Sequence, residues 1–338
     1  MAWIATAGDA RWIGRLYRQT AQCEAAALRH WALDHLAASV PFDAAVWGTR
    51  RRDHERLTAT TVHQLGTAAL QPLLRLGVRH WVAPAGRGSD GDAAVVRQFD
   101  LAETSPRDAD AAELATLGWS QLFVLLQPQP GTLFVTVLCL LRAKGGFSYE
   151  ECERLRLLLP HLAEAETLAL EQRLALDARL ARAGRRNRGP ACLVDASGAV
   201  RAMAPGFREL LRKQQPHWSG LTLPASLQAQ ARAHVDTGAA EFDALGLHAR
   251  INAAEDDLYQ LHVRPCHPFD RLTAREHDIV KAMVEGESYK LVARRLGVSA
   301  STVANHASNI YRKLGALNRD QVVSLAGSFR GESDDPRV

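Results

Sequence analysis

Between Ser299 and Lys313 the chain sets Ser301, Thr302, Ala304, Asn305, Ser308, Asn309, Arg312 and Lys313 into the gaps of a regular apolar pattern. If the segment is a helix, these residues share its outward face, which is polar throughout, small near its N-terminus and basic near its C-terminus. Hydroxyls and amides can bond to base edges, short side chains permit close approach, and cations can meet phosphates. A double-stranded DNA major groove is the surface this chemistry suits. The plainer alternative is the solvated face of an ordinary all-helical domain.

Other candidate chemistry is weaker. His262, Cys266 and His267 could be metal ligands, but a site needs three or four in place and no fourth is evident; they read better as strand-end residues. His30 and His35 are five apart and do not share a helical face. No nucleophile–base–acid spacing and no paired carboxylates form a recognisable motif. The expectation is therefore no catalytic residue, no metal, no cofactor and no enzyme. The Gly-rich stretch 83–92 (APAGRGSDGD) lacks the G-K-[ST] of a phosphate-binding loop and reads as a surface loop. Trp47, Trp81 and Trp119 are the candidates for lining a small-molecule pocket, against the simpler reading as core aromatics.

What must hold the polar face is legible in stop and start signals. Thr273 with Glu276 is a capping box, so a helix begins near Ala274 and ends at Gly286. Ser288 caps a second helix with apolar Leu291, Val292 and Leu296, and Gly297 closes it. Ser299 caps a third, whose Val303, Ala307, Ile310 and Leu314 are spaced 4, 3 and 4, a single buried stripe. Gly315 stops it, and Asn318 with Gln321 starts a fourth. The turn Leu296–Ser299 is too short for antiparallel packing, so the second and third helices cross steeply as a helix-turn-helix.

This stretch resembles the C-terminal DNA-binding domain of the LuxR (GerE-type) family of bacterial transcription regulators. The resemblance rests on Leu272, Thr273, Arg275, Glu276, Gly286, Lys290, Ala293, Leu296, Val298, Ser299, Thr302, Val303, His306, Ile310, Lys313, Leu314 and Arg319. It covers about a sixth of the chain. It implies a recognition helix within Val298–Leu314, phosphate contacts near Lys290, Thr302 and Lys313, and dimer contacts on the last helix. The candidate DNA-contacting set is Lys290, Ser299, Ser301, Thr302, Ala304, Asn305, His306, Ser308, Asn309, Arg312 and Lys313. Two positions depart from the family: Ala304 stands where Lys is frequent, and Ser308 where several members carry a basic residue. Asn305 then becomes the best base reader, since Asn pairs with adenine N6 and N7.

Composition fits one nucleic-acid-facing module joined to something else. The chain has 338 residues, 47% hydrophobic, with a net charge of +4. Asp270–Arg330 holds ten Lys/Arg against six Asp/Glu, so the whole excess lies there. Five scattered cysteines without C-x-x-C, and no visible signal peptide, suggest reduced thiols in the cytoplasm. The longest apolar run, Leu133–Leu141, is too short to span a bilayer, so no membrane partner is expected.

Ahead of that module the pattern is α+β. Residues 10–38 suggest one or two amphipathic helices. Phe42–Thr49 and Leu57–Leu65 read as strands, Leu70–Leu76 as a short helix, Asp108–Leu117 as a helix, and Gln121–Leu126 with Thr132–Leu141 as a hairpin. Ser148 and Glu151 open a long helix running to about Ala183. Gly118, Gly131, F-S-Y-E-E and L-L-L-P-H-L resemble a GAF-type sensor domain, which implies a small-molecule pocket or a dimerisation module. The spaced Trp, Tyr, Asp and Trp of acyl-homoserine-lactone receptors is absent, which sets that ligand aside. Leu155, Leu158, Leu162, Ala165, Ala169 and Leu176 form a rough 3-4 repeat that could pair two copies as a coiled coil. Residues 183–189 read as a basic hinge. L-V-D-A-S-G-A-V-R-A-M-A-P-G-F then resembles a PAS-type sensor domain, with Ala204 where the family often has Asn. A later hairpin, Leu245–Ile251 with Leu258–Val263, completes it. Residues 212–240 carry no clear pattern.

The expected architecture is multidomain: a GAF-like α+β domain (1–147), a helical linker (148–189) that could pair as a coiled coil, a PAS-like α+β domain (190–268) and an all-α four-helix LuxR-type domain (269–330). The expected partners are double-stranded DNA, a second copy of the chain, an unknown small-molecule effector and RNA polymerase. A sensor-like interaction scaffold with DNA targeting and no small-molecule ligand is the alternative.

Overall fold

The computed structural model describes residues 6–54, 56–81, 94–104, 108–183, 189–234, 239–254 and 257–331. Two compact units emerge. One comprises Met1–Ala178, Pro190–Ala240 and Ile251–Leu261, and the other Arg179–Gly189, Glu241–Arg250 and His262–Val338.

The chain opens with α1 (Ala7–Thr20) and α2 (Ala25–Ala37), then β1 (Ala44–Arg51), β2 (Leu57–His63), α3 (Thr67–Trp81), β3 (Val95–Asp100), α4 (Leu101–Thr104), α5 (Ala109–Thr116), β4 (Gln121–Pro128) and β5 (Phe134–Arg142). The five strands form one antiparallel sheet in the order β2-β1-β5-β4-β3. Successive side chains leave a strand on opposite faces, and here both faces are buried. Ala45, Trp47, Phe123, Leu125, Leu138 and Leu140 join the core that holds Leu16 of α1 and Leu28 and Leu33 of α2. Ala44, Val46, Leu122, Val124, Val137 and Cys139 join the opposite core with Leu73 and Leu76 of α3 and Leu114 of α5. A sheet covered on both sides reads as continuous apolar runs rather than alternation, which is why AAVW and LFVLL looked like buried strands.

The long helix α6 (Tyr149–Ala183) spans 35 residues, about 52 Å at 1.5 Å per residue. Ser148 and Glu151 form the expected capping box, with Ser148 N donating to Glu151 Oε2 at 2.8 Å and Glu151 N to Ser148 Oγ at 3.2 Å. Pro160 lies inside the helix without ending it. The expected pairing stripe is corrected: Leu155, Leu158, Leu162, Ala165 and Ala169 all lie in the core against the first sheet and are not offered to a second copy. The stripe completes the cover that α1 and α2 lay over one face of that sheet. Leu176 alone of the set is exposed.

Beyond α6 come β6 (Ala191–Asp195), β7 (Val200–Met203), α7 (Pro205–Gln214), α8 (Ala225–His234), β8 (Ala239–Ala244), β9 (Leu247–Ala253) and β10 (Leu258–Pro265). Their sheet has the order β7-β6-β10-β9-β8. Counted within each sheet, both run second, first, fifth, fourth, third. Leu170 and Leu174 of α6 pack against Ala191, Leu193 and Ala202, so a single helix contributes to the cores of both sheets.

The C-terminal part is all helical: a 3-10 turn (Pro268–Arg271), α9 (Ala274–Val284), α10 (Tyr289–Leu296), α11 (Ala300–Leu314) and α12 (Arg319–Gly331) around one core of Ile279, Met283, Val292, Val303, Ile310 and Val322. Five elements were not read from sequence: β3, α4, α8, β8 and the 3-10 turn. The helix expected at Leu70–Leu76 extends over Thr67–Trp81. The loop at 83–92 lies outside the described residues, as does most of the 183–189 hinge. Among the described residues no helix is long and apolar enough to cross a membrane. All five cysteines are free thiols.

Candidate nucleic-acid interface

Local chemistry fixes the helix-turn-helix. Ser288 Oγ accepts from Leu291 N and caps α10. Gly297 ends α10 at φ 66°, ψ 35°, a left-handed conformation that a Cβ would strain. Ser299 then caps α11, accepting from Thr302 N at 3.1 Å, while its hydroxyl also lies 2.8 Å from Ser301 Oγ and from Thr302 Oγ1. The buried stripe of α11 is Val303, Ala307, Ile310 and Leu314, as the spacing predicts.

The remaining faces of α11 divide into exposed and half-buried side chains. Ser301, Asn305, Ser308 and Arg312 are exposed, whereas Thr302, Ala304, His306 and Asn309 are half-buried. Asn309 Oδ1 accepts from Arg312 Nη2 at 2.9 Å, one turn along. Lys290 projects, exposed, from the first turn of α10. The exposed set thus presents short polar groups over three turns, with Asn305 the longest amide on it.

Lys313 is placed differently from the phosphate role the resemblance implies. Its Nζ lies 2.6 Å from Oε2 of Glu276, a carboxylate 4% exposed at the start of α9. The same Oε2 accepts from Thr273 N at 2.7 Å. Burial alone would raise the Glu276 pKa, but the Lys313 ammonium and the Thr273 bonds outweigh it and hold the carboxyl below its ordinary value. Two further residues carried by the resemblance are also internal fasteners. Arg275 Nη2 donates to the Leu296 carbonyl at 2.5 Å, and Arg319 Nη2 to the Met283 carbonyl at 2.7 Å. Both acceptors are carbonyls in the last turn of a helix, and the Met283 carbonyl also accepts from Gly286 N at 3.2 Å. Tyr289 and Tyr311 join hydroxyls at 2.8 Å, and burial followed by that bond pushes the Tyr311 phenol up to about 12. These roles were missed because nothing in linear spacing pairs residue 276 with 313, or 275 with 296.

Residues 270–326 match the model of the bacterial regulatory proteins of the luxR family (GerE). The C-terminal domain is a luxR-type helix-turn-helix domain. Similar regulators include the monoamine regulon transcriptional regulator of Klebsiella aerogenes, 49% identical over 53 residues, 16% of this chain and 23% of that protein. A probable transcriptional regulatory protein, SgaR, of Hyphomicrobium methylovorum is 41% identical over 58 residues, 17% of this chain and 28% of that one. The chain spans about a quarter of the length of these relatives. A crystal structure of Escherichia coli SdiA overlaps 94% of this chain and 96% of its own at 13% identity, with a TM-score of 0.35. A superposition that loose establishes nothing about the domains ahead of the luxR-type one.

Trp47 and Trp119 do not converge. Trp47 is fully buried in the core beneath α1, α2 and α6, whereas Trp119 packs into the core on the opposite face of the sheet. The side chain of Trp81 lies outside the described residues. His262 is buried on β10 with Nδ1 3.4 Å from the Gly189 carbonyl, while Cys266 is exposed.

Proposed function

We propose that this chain is a sequence-specific DNA-binding transcriptional regulator, a reader of double-stranded DNA rather than an enzyme. It acts as a homodimer whose two copies of α11 enter successive major grooves about one helical turn apart. The observation that carries this reading is the outward face of α11, where Ser301, Asn305 and Ser308 stand exposed on a luxR-type domain. Asn305 reads a base edge. Lys290 and Arg312 neutralise phosphates, and Ser299, Ser301 and Thr302 approach the backbone at the α11 N-terminus. Ala304, His306, Ser308 and Asn309 border the groove. Lys313 supports the domain from within. Because its target is genomic DNA, the protein works in the cytoplasm, and RNA polymerase is its downstream partner.

The two α+β regions respond to a small molecule or partner. Their shared strand order supports kinship with GAF-like and PAS-like sensors, with boundaries near residues 147, 189 and 268. The test is selection of sheared genomic DNA by the full-length protein at about 0.15 M salt. A two-fold-symmetric motif among retained fragments supports the reading. Retention without any motif, vanishing as salt rises, overturns sequence-specific binding.

A further inference from the structure

Three charged side chains meet in the interior of the first unit. Glu166, in the middle of α6, is 0% exposed; Arg29 on α2 is 3% exposed and Arg201 on β7 is 1% exposed. Glu166 Oε1 accepts from Arg29 Nη1 at 2.8 Å, and Oε2 lies 3.1 Å from Arg201 Nη2. Arg29 Nε also donates to Thr61 Oγ1 on β2 at 2.7 Å. The Arg201 guanidinium carbon stands 5.8 Å from the centre of the Phe134 ring on β5.

One carboxylate is therefore shared between a guanidinium from the helical layer of the first sheet and a guanidinium from a strand of the second. Burying three charges is a poor way to gain stability. Desolvation offsets most of the attraction, and apolar residues of similar volume generally hold a core as well or better. What a shared ion does provide is geometry, because moving either arginine away from Glu166 separates a buried ion pair. The apolar contacts of Leu162, Ala165 and Ala169 are non-directional and specify no such pairing.

We propose that Glu166 is a positioning residue that couples the two sheets, fixing the rotation and height of α6 against both. A shift in the α2–β2 layer is then passed to β6 and β7 instead of being absorbed at the helix. The coupling rests on the triad alone and stands whether or not the chain reads DNA; only its use in signalling depends on the proposed function.

The test is site-resolved hydrogen exchange on the full-length protein with conservative variants. Arg29→Lys should raise exchange at least threefold in α2 and β2 and also in β6 and β7. Arg201→Lys should do the same in the reverse direction. When Arg29→Lys is added to Glu166→Gln, the response of β6 and β7 should fall away while that of α2 and β2 persists. Responses confined to each variant's own sheet overturn the proposal. So does an Arg29→Lys effect on β7 that is undiminished beside Glu166→Gln, or a uniform rise extending through α9–α12, which would indicate global loosening.

Discussion

Lys313→Met separates a structural cation from a DNA-contacting one. The substitution keeps the aliphatic stem and deletes the ammonium 2.6 Å from Glu276 Oε2. Glu276 then retains the Thr273 N–H but loses its Lys313 charge partner at a site 4% exposed. Stripping one partner from a fully buried pair costs about 3–5 kcal/mol. Lys313 is 31% exposed, so water screens part of this, and about 2 kcal/mol is the appropriate estimate. For a domain of about 60 residues that corresponds to a fall of roughly 8–16 °C in the unfolding midpoint of the C-terminal transition. Calorimetry of the full-length protein reads the shift directly. The salt dependence of DNA binding reads the other half: Lys313→Met should leave the slope of log K against log salt unchanged. Lys290→Met, at an exposed position, should reduce it by about 0.9 without moving the midpoint. If Lys313→Met lowers the slope by that amount and leaves the midpoint alone, the structural assignment of Lys313 is wrong.

Three further outcomes follow from the same geometry. The Glu276 carboxyl is held below its ordinary value, so its contribution is complete above the unfolded pKa of about 4.3 and is lost as pH falls through the folded one. The stability gap between the wild-type protein and Lys313→Met should therefore narrow below about pH 4 in acid titrations followed by circular dichroism. Ser299→Ala removes the α11 cap and should cost about 1 kcal/mol, measured as a lower denaturant midpoint at unchanged m-value. Gly189→Ala should be far more damaging, because a Cβ there would sit 2.0 Å from the Val263 carbonyl oxygen, with φ at +69°. Its test is soluble yield and melting temperature, and a variant as stable as wild type would contradict the close approach.

The luxR-type domain was legible because its signals are local. Thr273 with Glu276, Ser288 and Ser299 are caps that act within four residues, and the stripe Val303–Leu314 repeats within one helix. The first sheet was nearly as legible where both faces are buried, as in β1, β4 and β5. Its edge strand β3 was not, since five of its six residues are half-buried and carry neither an apolar run nor a clean alternation. The stripe on α6 was visible, but periodicity says which residues are buried and not against what, so a core-facing stripe resembled a coiled-coil seam. Tertiary ion pairs were invisible: Arg29, Glu166 and Arg201 have no sequence relation to one another, and Lys313 looked like any basic residue at the end of a recognition helix. Nor could the sequence show that Trp47 and Trp119 belong to opposite faces of one sheet.

The central claim is that the exposed face of α11 reads bases through Asn305. The most direct measurement is the ratio of affinities for a selected genomic site and for random duplex of equal length, at one salt concentration, for the wild-type protein and for Asn305→Ala. Loss of one amide pair to adenine should lower the specific affinity by about 1–3 kcal/mol and leave the non-specific affinity nearly unchanged, so the ratio falls by about 5- to 150-fold. Equal losses on both duplexes, with the ratio preserved, would contradict base reading by this face.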